Sequence, residues 1–134
     1  MDTTLDSLDP RFKPLAITLL ARLVEARLPV LIVNTRRTAA EQAAAIARHV
    51  SWVAHSLHQD GLAIDVAPYD VYALHGDDKL QWNTNDPVWL TIGAIGEALG
   101  LRWGGRFHPI NTAGIGMDPG HFEYIAPAQT GVPT

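Results

Sequence analysis

Every stretch of this sequence that reads as a β-strand is short, and a helix or a long loop separates each from the next. The extended candidates are Val30 to Asn34, Leu62 to Ala67, Leu101 to Trp103 and His121 to Ile125. Three helical segments fall before and between them. Phe12, Leu15, Ala16, Leu19, Leu20 and Leu23 recur at helical spacing, with Pro10 near the start and Pro29 beyond the end. Thr38-Ala-Ala-Glu41 is a capping box, in which a hydroxyl and a carboxylate satisfy backbone N–H groups at a helix start. An alanine-rich run carries that helix to about Arg48. Asp86 caps a third helix, with Pro87 at its first position, Val88, Ile92, Ile95 and Leu99 on one face, and Gly100 as the stop. The expected fold class is α+β, a small antiparallel sheet flanked by helices.

A chain of 134 residues, 47% hydrophobic and 18% charged, can bury a core without staples, and one domain over residues 1–134 is expected. Asp70 to Asn85 has little periodicity and reads as a surface loop, and the Pro/Gly/Thr-rich tail 127–134 is expected to fray. There is no cysteine, which excludes disulfides and thiolate metal sites and leaves His and carboxylate as ligands. A formal net charge of −4, with no basic cluster beyond Arg36-Arg37, argues against nucleic acid as a partner. The most apolar run, Leu15 to Val24, is interrupted by Arg22, so no membrane insertion is expected. The acidic start, Met1-Asp-Thr-Thr-Leu-Asp, lacks the layout of a secretory signal, and synthesis in the cytoplasm, as a monomer, is the expectation.

The chemistry concentrates in two places. His58 and Asp65 stand seven residues apart in Ser56-Leu-His-Gln-Asp-Gly-Leu-Ala-Ile-Asp65, and Asp118-Pro-Gly-His121 follows later. Two His, one Asp and a further carboxylate are the parts of a hydrolytic zinc site, which keeps three protein ligands and an open position. Asp60-Gly61 is a strong turn signal, and a hairpin closed there would pair His58 with Ala63 and Ser56 with Asp65. His58 and Asp65 would then be diagonal neighbours on one face. Taken alone, the pair is more often a surface hydrogen bond than a ligand set. His121 shifts that balance, because in His-Phe-Glu-Tyr the residues Phe122 and Tyr124 can face a core while His121 and Glu123 face the other way. His49 reads as a helix-end residue, His55 shares i, i+3 spacing with His58, and His75 and His108 sit in loops without acids in suitable order.

Ser56-x-His58-x-x-Gly61-x-Ala63-x-Asp65, followed by Asp118-x-x-His121-Phe-Glu, resembles the zinc D-Ala-D-Ala carboxypeptidase family. That family includes VanY- and VanX-like peptidases and phage endolysins that cut L-alanyl-D-glutamate bonds. Arg37-Thr38-x-x-Glu41-Gln42 is similar to its upstream Tyr-Arg-Ser-x-x-Glu-Gln segment, with Arg36 where the pattern has Tyr. Leu101-Arg-Trp-Gly-Gly-Arg-Phe is similar to the Trp-Gly-Gly stretch before the last His, so the match runs from about residue 7 to 126.

The resemblance implies a hedgehog/DD-peptidase type of fold and Zn2+ held by His58, Asp65 and His121. It makes Asp118 the general base, where Asp is typical of the endolysin-like branch and Glu of the carboxypeptidase and dipeptidase branches. Arg37 would stabilise the oxyanion and Ser56 would contact substrate, while Trp103-Gly104-Gly105 reads equally as a wall of the substrate cleft, where Trp103 contacts substrate, or as a core Trp with a turn. Arg36, Arg102 and Arg106 could meet substrate carboxylates or simply be solvated. The implied partner is the stem peptide of bacterial peptidoglycan, cut between L-Ala and D-Glu after release through a holin or membrane damage. The alternatives are a D,D-carboxypeptidase or dipeptidase acting on D-Ala-D-Ala, or a non-catalytic wall-binding module that keeps zinc.

Overall fold

The computed structural model describes residues 2–48, 56–69, 80 and 82–126. Helix α1 spans Lys13–Glu25, strand β1 Val30–Asn34, helix α2 Ala39–Ala47 and strand β2 Ala63–Pro68. Helix α3 spans Val88–Ala98, β3 Arg102–Trp103 and β4 His121–Glu123. The four strands form one antiparallel sheet in the order β1-β2-β4-β3. The expected α+β class is thus observed.

The helix ends follow the sequence signals closely. Thr38 Oγ1 accepts from the Glu41 N–H while Glu41 Oε1 accepts from the Thr38 N–H, completing the capping box of α2. Asp86 Oδ1 accepts from the Val88 N–H at the start of α3. Gly100, at φ +83, ends that helix with Leu101 N–H on Gly96 O and Gly100 N–H on Glu97 O. The end of α1 uses the same pair of bonds, Leu28 to Leu23 and Arg27 to Val24, but places an arginine, Arg27, at φ +60. A left-handed residue with a Cβ is strained there.

Register divides the sheet into two faces. Ile64 pairs with Phe122 and Trp103 with Phe122, and these residues pack with Phe12, Ala16, Leu19 and Leu23 of α1 and Trp89 and Ile92 of α3. Gly93 and Gly96 let α3 approach closely, because a Cβ on either would run into the rings of Trp103 and Phe122. Ala63, Asp65, His121 and Glu123 occupy the other face, with Arg102 paired to Glu123 and Asn34 to Asp65. The helix-covered face is apolar. The opposite face carries the polar residues.

The hairpin expected at Asp60-Gly61 does not form. Leu57–Asp60 is a 3-10 turn, and β2 pairs with β1 and β4 instead of the segment before it. The physical reason lies in a second capping box: Ser56 Oγ accepts from the His58 N–H and Gln59 Oε1 accepts from the Ser56 N–H. Gly61, at φ +70, then serves as the left-handed cap of that turn rather than as half of a hairpin loop. Within the stretch expected to be a surface loop, Leu80 forms an isolated bridge with Tyr69, which precedes it. His49, Trp52, His55, His75 and the tail 127–134 lie outside the described residues.

Candidate metal centre and active site

Strand β2 places Asp65 opposite His121 of β4, so their side chains leave the same face of the sheet. Asp65 Oδ1 lies 3.0 Å from His121 Nδ1 and 3.1 Å from His58 Nε2. One donor atom from each of the three residues lies within 4.8 Å of the others. His58 arrives from the 3-10 turn, not from a neighbouring strand, so the seven-residue spacing folds a turn end against a strand.

The hydrogen bonds around the two rings say which nitrogens point inward. His58 Nδ1 lies 2.7 Å from Thr35 O, and a carbonyl only accepts, so Nδ1 carries a proton and Nε2 is the nitrogen whose lone pair a neutral ring offers to the cluster. That lone pair is buried, has no hydrogen-bond partner, and faces a carboxylate oxygen at 3.1 Å. A neutral imidazole and a carboxylate at this distance repel unless a proton or a metal cation lies between them. His121 is turned the other way: Nδ1 faces Asp65, and Nε2 lies 2.8 Å from Glu123 Oε1. Burial works against a charge on His121, yet the bonds to Asp65 and Glu123 prevail and push it up to about 10. Burial likewise opposes charge on Asp65, but the adjacent His58 and His121 hold its carboxyl far below the ordinary range. Two imidazoles and one carboxylate, converging in a pocket that favours positive charge, fit a catalytic zinc ion with an open position.

Asp118 stands beside this trio without joining it. Its Oδ2 is 3.8 Å from His121 Nδ1, and its side chain is 48% exposed. Burial by its surroundings, and then the Asp65 carboxylate, raise it above the ordinary carboxylate range. The two carboxylates are therefore pushed in opposite directions, which suits one to binding a cation and the other to accepting a proton. A tight turn holds Asp118: the His121 N–H donates to Asp118 O, and the Asp118 N–H to Gly104 O. Gly104 must be glycine, because a Cβ there would strike Asp118 O and crowd the Cβ atoms of His121 and Asp118.

Arg37 completes the group. Its backbone N–H donates to His58 O, and its Nη1 donates to Oε1 of the buried Gln42 at 2.7 Å. That brace leaves Nη2 4.0 Å from Asp65 Oδ2, with the side chain only 15% exposed. The motif Arg37-x-x-x-x-Gln42 thus has a mechanical reason, since α2 carries the glutamine that aims the arginine.

Two expected substrate contacts are placed differently. Ser56 is buried, and its hydroxyl accepts from the His58 N–H, so it shapes the turn that delivers a cluster residue. Trp103 is 4% exposed, packs on Gly93 and Gly105, and donates its indole N–H to Pro119 O at 2.7 Å. The Trp103 ring thus lies in the core, and its N–H fastens the Asp118 turn. Arg36 is likewise engaged, with Nε on Ser7 O, Nη1 on Gln59 O and Nη2 on Asp60 O. Arg106 pairs with Glu97 and Arg102 with Glu123. His108 is exposed and makes no part of the cluster. Sequence reasoning passed over Thr35, Gln42 and Glu123 as site residues. Gln42 left a trace in the motif Arg37-Thr38-x-x-Glu41-Gln42 and Glu123 in sharing His121's side of an alternating strand, whereas Thr35 left none.

The fold and the polar cluster together define a metallopeptidase. Residues 49–124 match the D-alanyl-D-alanine carboxypeptidase family, and the chain belongs to that family. No curated protein sequence matches it. Among solved structures it is similar to the Serratia marcescens L-Ala D-Glu endopeptidase ChiX, with 18% identity and a TM-score of 0.62 over 90% of this chain and 83% of that one. It is also similar to a mutant of the vancomycin resistance D,D-pentapeptidase VanY in complex with Zn(II), with 15% identity and a TM-score of 0.57 over 89% of this chain and 73% of that one. The LdcB LD-carboxypeptidase is a third, at 14% identity and a TM-score of 0.61 over 89% of this chain and 59% of that one. At these identities the likeness is one of fold.

Proposed function

We propose that this peptidase is a zinc-dependent peptidoglycan hydrolase that cuts the L-Ala-D-Glu bond of the stem peptide. The observation that carries the reading is the buried lone pair of His58 Nε2 facing Asp65 Oδ1, with His121 beside them and Asp118 and Arg37 at the rim. His58 through Nε2, Asp65 through Oδ1 and His121 through Nδ1 would hold the ion. Bound there, a zinc ion would supply Lewis-acid polarisation of a carbonyl and would lower the pKa of a water to about 7. Asp118 takes a proton from the attacking water as its oxygen bonds to the scissile carbon. The same carboxyl returns the proton to the amide nitrogen as the C–N bond breaks, leaving a carboxylate and an amine. Arg37, fixed by Gln42, faces the negative charge that develops on the carbonyl oxygen.

Two considerations favour an internal bond over a C-terminal one. ChiX, whose fold this chain shares, is an L-Ala D-Glu endopeptidase. A carboxypeptidase also needs a cation for the substrate's terminal carboxylate, and among the described residues Arg36, Arg102 and Arg106 are already engaged with other groups. An endolysin-like role, with the wall reached through a holin or membrane damage, belongs to the same proposal. Mass spectrometry of digested muropeptides tests it. A new N-terminal D-Glu is the expected product, whereas loss of D-Ala alone would establish carboxypeptidase action instead.

A further inference from the structure

The side of His121 that faces away from the cluster is built as carefully as the side that faces it. Nε2 lies 2.8 Å from Glu123 Oε1, with both residues buried. The other oxygen of that carboxylate, Oε2, accepts from Arg102 Nη1 at 3.2 Å, and the Arg102 side chain is 50% exposed. The sheet places these groups in line. His121 and Glu123 are alternate residues of β4 on one face, and Arg102 of β3 is the cross-strand partner of Glu123. A chain of charge-assisted contacts therefore runs from the surface, through one carboxylate, to the outer nitrogen of a cluster imidazole.

We infer that Glu123, anchored by Arg102, is a positioning residue for the metal: it holds the proton of His121 on Nε2 and so keeps Nδ1 free to bind the ion. An imidazole can place its single proton on either nitrogen, and only one choice leaves a lone pair toward Asp65. Asp65 faces Nδ1 as Glu123 faces Nε2, so with Asp65 given over to the ion the Glu123 carboxylate selects that choice, fixes the ring's rotation, and strengthens Nδ1 as a donor atom. Arg102 keeps the carboxylate in place from the solvent side. Glu123 is outside the group His58, Asp65 and His121 whose donor atoms converge, and its effect passes through His121. The inference rests on the reading of His121 as a metal ligand.

The test measures zinc affinity by competition with a chromophoric chelator, and the visible absorption of the cobalt(II)-loaded protein. Five full-length proteins are compared: the natural chain, Glu123→Ala, Glu123→Gln, Arg102→Ala and His121→Ala. Glu123→Ala is expected to bind zinc about 10- to 100-fold more weakly, with a shifted cobalt spectrum. Glu123→Gln keeps an acceptor without the charge and should fall between the two. Arg102→Ala, a surface change that spares the fold, should weaken binding by up to about fivefold. A residue serving the fold alone would lower the melting temperature of the metal-free protein without moving either metal readout. Zinc affinities for Glu123→Gln and Arg102→Ala equal to the natural chain's, with an unchanged cobalt spectrum, would overturn the inference even if Glu123→Ala failed to fold. His121→Ala separates the two levels of the argument: stoichiometric zinc in that variant would refute the ligand reading itself, and the positioning role with it.

Discussion

The two imidazoles of the cluster are held by opposite means. His58 gives its outer N–H to a main-chain carbonyl, Thr35 O, and rides on a turn whose position is set by backbone contacts. Arg36 bridges the carbonyls of Ser7, Gln59 and Asp60, the Asp9 N–H donates to Gly61 O, and Thr35 is tied through its own N–H to Asp2 O. His121 instead sits in a sheet ladder, and its outer nitrogen meets a side-chain carboxylate. A backbone acceptor cannot be deleted by substitution, whereas a carboxylate can. The difference teaches where each half should fail: the His58 half through folding, the His121 half through local chemistry.

The largest expected effect tests the His121 half. Asp118→Ala should lower turnover by roughly 100- to 10,000-fold while stoichiometric zinc and the melting temperature stay near the natural values. Undiminished hydrolysis by that variant would remove Asp118 from the mechanism. On the other half, Gly61→Ala should destabilise the protein by roughly 2–3 kcal/mol, because a Cβ at φ +70 is strained and would lie 2.7 Å from Arg36 Nη2 and 2.8 Å from the Asp9 nitrogen. Chemical denaturation measures it. A Gly61→Ala protein as stable as the natural one would show that the turn carrying His58 is not set by backbone packing.

A smaller effect depends on pH. The Arg11 guanidinium and its backbone N–H hold Asp9 at about 2, below the usual 3.8. A depressed carboxylate contributes stability that is present above its ordinary pKa and is lost as pH falls through the depressed value. The melting-temperature gap between the natural chain and Asp9→Asn should therefore be open at pH 6 and closed near pH 2. It should also shrink in high salt, since Asp9 lies near the surface. The smallest change serves as a control outside both halves. Arg27→Gly relieves a left-handed residue at φ +60 and should add about 0.5–1 kcal/mol of stability without altering zinc binding or turnover.

Much of this architecture could be read from local signals. The capping box at Thr38, the stop at Gly100 and the alternation in His-Phe-Glu-Tyr each act within a few residues, and each is observed. The parts read less well depend on partners distant in the chain. Asp65 meets His121 across 56 positions, and no periodicity announces which strand will lie beside which. The signal at Asp60-Gly61 was ambiguous in a physical sense, because a left-handed glycine suits both a hairpin loop and the end of a helical turn. Ser56 and Gln59 decide between them, three residues apart, by capping the turn. Arg36 could not be assigned from its neighbours, since the carbonyls it bridges belong to two separate segments. Trp103 had two readings of equal weight, and the small residues Gly93 and Gly105 that cover its ring decide for the core.

The stretch between Trp-Gly-Gly and Asp118 departs from Gly105 and comes back to it. Gly116 N–H donates to Gly105 O, Met117 N–H to Phe107 O and Asp118 N–H to Gly104 O, so the excursion is closed at its base before the acid is reached. Its outer residues, His108, Pro109 and Ile110, are exposed. A loop clasped at its neck passes little of its own length on to what lies beyond, and doubling such a loop costs only about 0.6 kcal/mol in closure. The tip at His108 to Ile110 is thus a place where this scaffold can accept an inserted recognition segment. Evolution or a protein engineer could lengthen it there, changing what the peptidase grips while the acid stays in register.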